Sequence, residues 1–180
     1  MRFLSGSMPI TAIFIISALV FPTAVLYAAP LEYGYSLAPG AAYSEEERAY
    51  VFSDLRQRVV NAAVRYLGTP YLYGGATAGG LDCSGLLGLT FNDALGVALP
   101  RSASAIYTWT ERVAMENAQS GDLLFFNTGA GQDINHVALY LGNGRFIHSA
   151  SSGPETGVIY SSLDELYWNN CLAGAGRVFP

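Results

Sequence analysis

The chain has no lysine: all nine of its basic residues are arginine, set against 14 Asp and Glu for a net charge of −5. Walker-type phosphate binding and Schiff-base chemistry both depend on a lysine, so both are excluded. Clustered positive charge, the footprint of a nucleic-acid surface, is also missing, which sets nucleic acid aside as a partner. Cysteine and histidine are scarce, with two of each. Neither C-x-x-C nor H-x-x-x-H occurs, and zinc sites are built on such short spacings. No metal and no cofactor is therefore expected. Only 13% of residues are charged while 51% are hydrophobic, which excludes a disordered or collagenous chain.

What is present begins with a targeting pattern. Arg2, an apolar run from Ile10 to Leu26 and the small residues Ala28-Ala29 before Pro30 resemble a secretory signal. The run is intermediate between a signal core and a membrane span, so residues 1–29 read as a signal peptide or an uncleaved N-terminal anchor. Pro22 favours the signal, and no cysteine precedes Cys83 to carry a lipid. Residues 30–43, rich in Pro, Gly and Ala without periodicity, read as a linker. Residues 44–180 are then one domain, of a size that holds a real core. No repeat or low-complexity tract interrupts it, and its oligomeric state is not legible.

Ser44 and Glu47 form a capping box, and Phe52, Leu55, Val59, Ala63 and Leu67 recur at helical spacing, which predicts a helix ending at Gly68. The stretch from Gly68 to Asp82 is too dense in glycine for regular structure and delivers the chain to Cys83. A second helix follows from Cys83, with Leu86, Leu87, Thr90, Phe91, Ala94 and Leu95 on one face and Gly96 as its C-cap. After it the period changes. Asp122–Asn127, His136–Leu141, Arg145–His148 and Val158–Ser161 read as short strands, Gly174–Phe179 as a further one, and Asn143-Gly144 as a hairpin turn. Helices first and strands after predict an α+β fold, with helices packed on an antiparallel sheet.

Cys83 opens its helix, where free amides and the helix dipole favour negative charge and are expected to lower a thiol pKa. That suits a nucleophile; the bland readings are an apolar filler or a disulfide with Cys171 in the polar stretch Asn169-Asn170-Cys171. The free-thiol reading leaves Cys171 a bystander. His136 begins one strand and His148 lies on the next, so the period of two lets both rings face one side. A thiol nucleophile, a base and a group to orient the base are then all available, which suggests a cysteine hydrolase.

The segments GTPYLYGG (68–75), LDCSG (81–85), LPRS (99–102), GDLLFF (121–126) and HVALYLGNGRFIHSAS (136–151) resemble the NlpC-type cell-wall peptidases in order and spacing. The resemblance implies a papain-like fold, with Cys83 as nucleophile, His136 as base and His148 as the residue that orients it. It implies that Tyr71 supports the oxyanion beside the Cys83 amide, and that Asp82, Ser84, Arg101 and Ser102 line the groove. Arg101 either meets a substrate carboxylate or forms a structural salt bridge. The implied substrate is the stem peptide of peptidoglycan, cut at the D-glutamyl–diaminopimelate bond or at the crosslink, outside the cytoplasm. An amidase or acyltransferase on the same scaffold, or a silent wall-binding module, are the competing readings. Two departures bear on the groove: Ala105-Ile106 stand where a glutamine is frequent, and Ala138 where glycine is usual.

Overall fold

A computed structural model describes residues 43–129, 131 and 133–179. Residues 1–29, read as a signal peptide or anchor, and the expected linker 30–43, apart from Tyr43, lie outside the described residues. Helix α1 spans Glu45–Val64 and starts on the expected capping box, in which Ser44 Oγ accepts from the Glu47 amide and the Glu47 carboxylate from the Ser44 amide. Regular helix ends at Val64 rather than Gly68, because the next amides turn back on the carbonyls three residues earlier. The glycine-rich segment contains two short strands, β1 (Ala76–Thr77) and β2 (Gly80–Leu81), paired as a hairpin. Helix α2 covers Cys83–Leu95 and stops at Gly96 in the left-handed conformation.

A short α3 (Ala103–Trp109) and β3 (Glu111–Val113) come next, followed by β4 (Leu123–Phe126), β5 (His136–Gly142), β6 (Arg145–Ala150) and β7 (Gly157–Ser162). Helix α4 (Leu166–Cys171) leads into β8 (Leu172–Arg177). Six strands form one antiparallel sheet in the order β3-β8-β4-β5-β6-β7. The Asn143-Gly144 turn joins β5 to β6 with both residues at positive φ, the geometry of a type I′ hairpin.

Strand alternation gives the sheet two different faces. Leu123, Phe125, Val137, Leu139 and Ile147 point toward the helices, where Leu55, Val59, Leu86, Leu87 and Phe91 complete the main core. Leu124, Phe126, Ala138, Tyr140, Phe146 and Ala175 point the other way, against Trp168, Leu172 and Met115. One ionic knot ties α1 to the sheet edge: buried Asp122 takes Arg56 at 2.7 Å and Arg177 at 2.8 Å. This is the expected α+β architecture, with α3, β3, α4 and the β1–β2 hairpin added, the hairpin against the expectation that the glycine-rich segment holds no regular structure.

Candidate active site

The N-terminus of α2 is built by residues on either side of Cys83. Asp82 is its N-cap, accepting from the Gly85 amide at 2.6 Å. The β1–β2 hairpin presses on this first turn so closely that a Cβ on Gly85 would stand 2.0 Å from the Gly75 carbonyl oxygen. Only glycine fits there, two residues after the cysteine. Arg101 locks the assembly, donating to both Asp82 oxygens at 2.8 and 2.9 Å, to Ser84 Oγ at 2.6 Å and to the Gly75 carbonyl at 2.9 Å. Burial pushes the Asp82 carboxyl up, but Arg101, the Gly85 amide and Ser84 outweigh it and hold the group below its usual range.

Asp82, Ser84, Arg101 and Ser102 all border a cavity of about 400 Å³ that also reaches Cys83 and Tyr71. Their polar atoms are nonetheless committed elsewhere. Ser84 is buried and bonded to Asp82 and Arg101, and Ser102 caps α3 through the Ala105 amide. Of the two readings for Arg101, the structural salt bridge is the one observed, since its planar fork is already filled by a carboxylate.

His136 and His148 come from β5 and β6 and share the face of the sheet away from α2. Leu139 pairs with Ile147, so Ala138 is opposite His148 and His136 is its diagonal neighbour. Their rings meet, with His136 Nε2 and His148 Nδ1 2.9 Å apart, and the far nitrogen of His148 lies 3.2 Å from Ser161 Oγ on β7. Trp168 stands 5.4 Å from the His136 ring and 4.7 Å from the His148 ring, with Phe126 and Phe146 closing the box. Burial pushes His136 down to about 4. Burial and the charge of His136 push His148 down to about 3. Both rings are neutral at pH 7.

The thiol reaches the start of β5, where the amide of Val137, the residue after His136, hydrogen-bonds the ionised sulfur. The Cys83 thiol departs from expectation. Burial pushes it up, the Val137, Ser84 and Cys83 amides pull it down, and the Asp82 charge adds to the rise. The helix N-terminus is outweighed by loss of solvent, so at rest the thiol and both imidazoles are neutral. Tyr71 borders the same cavity, held by a bridge to Leu81. Its phenol is pushed up by burial and by the charges of Cys83 and Asp82.

Four residues at the site were not singled out from the sequence: Asn135 and Tyr73 beside Cys83, and Ser161 and Trp168 beside the histidines. Tyr73 lies within the segment 68–75 and Ser161 ends a predicted strand, whereas Asn135 and Trp168 had no signal. Cys83 and Cys171 are both free. Cys171 does not sit in polar surroundings but packs partly buried against the second core, beside Tyr167. Among the described residues no group of three or more His, Cys, Asp or Glu is arranged to hold a metal.

The chain is similar to known proteins in sequence and fold. The chain is 41% identical over 120 residues to the gamma-DL-glutamyl hydrolase of Bacillus subtilis, a match covering 66% of this chain and 28% of that protein. It is 38% identical to a probable endopeptidase of Haemophilus influenzae (63% of this chain, 68% of that protein). It is 37% identical to the murein DD-endopeptidase and LD-carboxypeptidase of Escherichia coli (69% and 64%). The match thus takes in little more than a quarter of the first relative's length and about two thirds of the other two. Among solved structures, an NLP/P60 family protein similar to lipoprotein from Staphylococcus aureus superposes with a TM-score of 0.61 at 36% identity, covering 81% of this chain and 46% of that one. The peptidoglycan hydrolase RipB of Mycobacterium tuberculosis gives 0.58 at 29%, covering 71% and 66%. The model of the NlpC/P60 family matches residues 68–177, from the glycine-rich approach to the end of β8, and the chain belongs to that family.

Proposed function

We propose that this chain is a cell-wall cysteine endopeptidase that hydrolyses amide bonds in peptidoglycan stem peptides. Cys83 is the nucleophile, His136 the base and His148 the residue that orients it. The observation that carries the reading is the coupled histidine pair at the strand end whose next amide, Val137, bonds the Cys83 sulfur. His136 Nε2 is engaged by His148, which leaves Nδ1 to accept a proton. A neutral base beside a neutral thiol suits a concerted step: as sulfur attacks the carbonyl carbon, the thiol proton passes to His136.

The resulting oxyanion is held by the Cys83 amide with the Tyr71 hydroxyl beside it, a contribution of about 3 kcal/mol per donor. His136 then protonates the leaving amine, and water attacks the thioester with the same ring as base, which returns the thiol. Tyr73 and Asn135 are positioned to touch the bound peptide, whereas Asp82, Ser84 and Arg101 hold the helix start in place and Ser102 starts the next helix.

Residues 44–180 form the catalytic domain in this reading, and the apolar segment at 10–26 directs or anchors it outside the cytoplasm, where the wall is. The favoured bond is that between D-glutamate and diaminopimelate, supported by the gamma-DL-glutamyl hydrolase relative. The test is digestion of defined muropeptides followed by mass spectrometry. A fragment ending in D-glutamate is the expected product. Dimers turned into monomers would move the cut to the crosslink, and intact peptides with a fully alkylatable Cys83 would overturn the endopeptidase reading.

A further inference from the structure

The histidine pair does not end at His148. The second ring nitrogen of His148 lies 3.2 Å from Ser161 Oγ, on the strand that pairs with β6 along its length. Phe146 is directly opposite Ser161 in that pairing, so the serine faces the same side of the sheet as both rings. No other hydrogen bond of Ser161 Oγ is found among the described residues. This matters because an imidazole pair has two polarities. In one, each ring carries its proton on Nε2, so His136 donates to His148 and keeps a lone pair on Nδ1. In the other, each ring carries its proton on Nδ1, so His148 donates to His136 and the base presents an N–H where it needs a lone pair.

We propose that Ser161 is a positioning residue that selects the first polarity: its Oγ accepts the Nε2 proton of His148 and so leaves His136 Nδ1 free to take a proton. The inference rests on the reading of His136 as the base. Serine can accept or donate, and the direction is decided by what surrounds the chain. Phe126, Phe146 and Trp168 wall the two rings with apolar surface, so in the productive polarity the Nε2 proton of His148 has Ser161 as its acceptor. The hydroxyl also borders a cavity of about 460 Å³ that runs past Trp168, where its own proton can be solvated while its lone pair serves the ring. In the opposite polarity the serine proton is used on His148 and nothing is gained at the thiol. The same device, a third group holding an imidazole in one tautomer, carries large rate factors in other nucleophile–base pairs.

The titratable groups around Ser161 and the pair are Glu155, Glu165, Tyr160 and Tyr167, which line the cavity that the serine borders. His148 is affected by the charge of His136, and no carboxylate or guanidinium bonds to either ring among the described residues. Changing residue 161 therefore reads out on the rings with little competition.

The experiment uses the intact protein with the alanine, threonine and aspartate variants of Ser161. Ser161→Ala should lower kcat between about 10- and 100-fold with KM little changed and the melting temperature held. Ser161→Thr, which keeps the hydroxyl on a strand residue, should restore it. Ser161→Asp can only accept when ionised; it should retain activity and move the acid limb of the kcat/KM profile upward, because its charge favours the protonated rings. Nitrogen NMR of the histidine rings, which needs no substrate, should show His136 Nδ1 unprotonated at pH 7 in the native protein and partly protonated in Ser161→Ala. Because that measurement is independent of turnover, failure to cut wall peptides would sink the proposed function and leave this result standing. A native protein with its proton on His136 Nδ1, or Ser161→Ala at full kcat with unchanged ring signals, would overturn the role of Ser161.

Discussion

Two of the buried polar clusters among the described residues are built on opposite principles. Asp122 is fully buried and meets two arginines, Arg56 and Arg177, as well as the Gln119 amide. Burial pushes its carboxyl up, yet Arg177, the Gln119 amide and Arg56 hold it below its usual range. Every lone pair there faces an opposite charge or a donor, so the cluster can hold α1 to the sheet and do nothing else. His136 and His148 are equally buried but among aromatic rings, with no opposite charge, and burial keeps them neutral. Their chain of hydrogen bonds starts at Ser161 and stops one atom short of closure, at His136 Nδ1. Saturated polarity gives attachment, and polarity left one partner short gives chemistry. The cavity of about 470 Å³ beside Arg56 and Arg177 is larger than the one at Cys83, but it is bordered by the saturated cluster.

Removing the nucleophile should divide the two clusters most sharply. Cys83→Ala is expected to abolish hydrolysis, a loss of at least about 10⁴-fold, with thermal melting unchanged, and His136→Ala should approach it. Assays on defined muropeptides beside a melting curve check both; a Cys83→Ala protein that still cuts would end the assignment. The mirror experiment is Asp122→Ala, which leaves Arg56 buried without its carboxylate and should cost about 3–5 kcal/mol of stability while the folded fraction keeps its turnover. Denaturant unfolding and active-site titration separate those quantities.

A smaller effect is expected at His148, whose part is orientation. His148→Gln should retain measurable activity, since an amide oxygen can accept from His136 Nε2, whereas equal loss with His136→Ala would point to a shared ligand role. The same variant sharpens the pH behaviour. An unfolded histidine takes up its proton near 6.5, while these two resist protonation down to about 4 and about 3. The unfolded state therefore binds more protons between those limits, and stability falls as pH drops below 6.5. Melting temperatures measured from pH 7 to pH 4 should fall, and more gently in His148→Gln. The smallest effect is expected from Cys171→Ala, a partly buried thiol without chemistry: activity within about twofold and stability within about 1 kcal/mol. Loss of activity together with a mass showing an 83–171 disulfide would reverse the free-thiol assignment.

Where sequence reading failed, it failed for physical reasons at particular residues. The thiol was expected to be acidified by its helix, and the local argument was sound, but solvent exclusion around Cys83 depends on what packs over α2 and outweighs it. Arg101 showed charge next to a groove motif, and only the fold brings Asp82 within bidentate reach, 19 positions away in the chain. Helices α3 and α4 are seven and six residues long, too short for periodicity to show, and β3 has three residues. Trp168 rides on α4, so the lid over both histidines was hidden with it.

The sequence by itself determined the class of the molecule and marked its candidate reactive residues. A capping box, a glycine run ending at a cysteine, an Asn-Gly turn between two histidine-bearing strands and the absence of metal spacings are all local features, written in neighbouring residues. What only the tertiary structure decided is the state in which those residues wait. The meeting of Nε2 and Nδ1, the serine behind them and the aromatic walls arise where β5, β6, β7 and α4 converge, and the half-buried thiol where α2 meets the start of β5. Protonation follows from burial and hydrogen-bond direction, and both are properties of the packed chain that no short stretch of it carries.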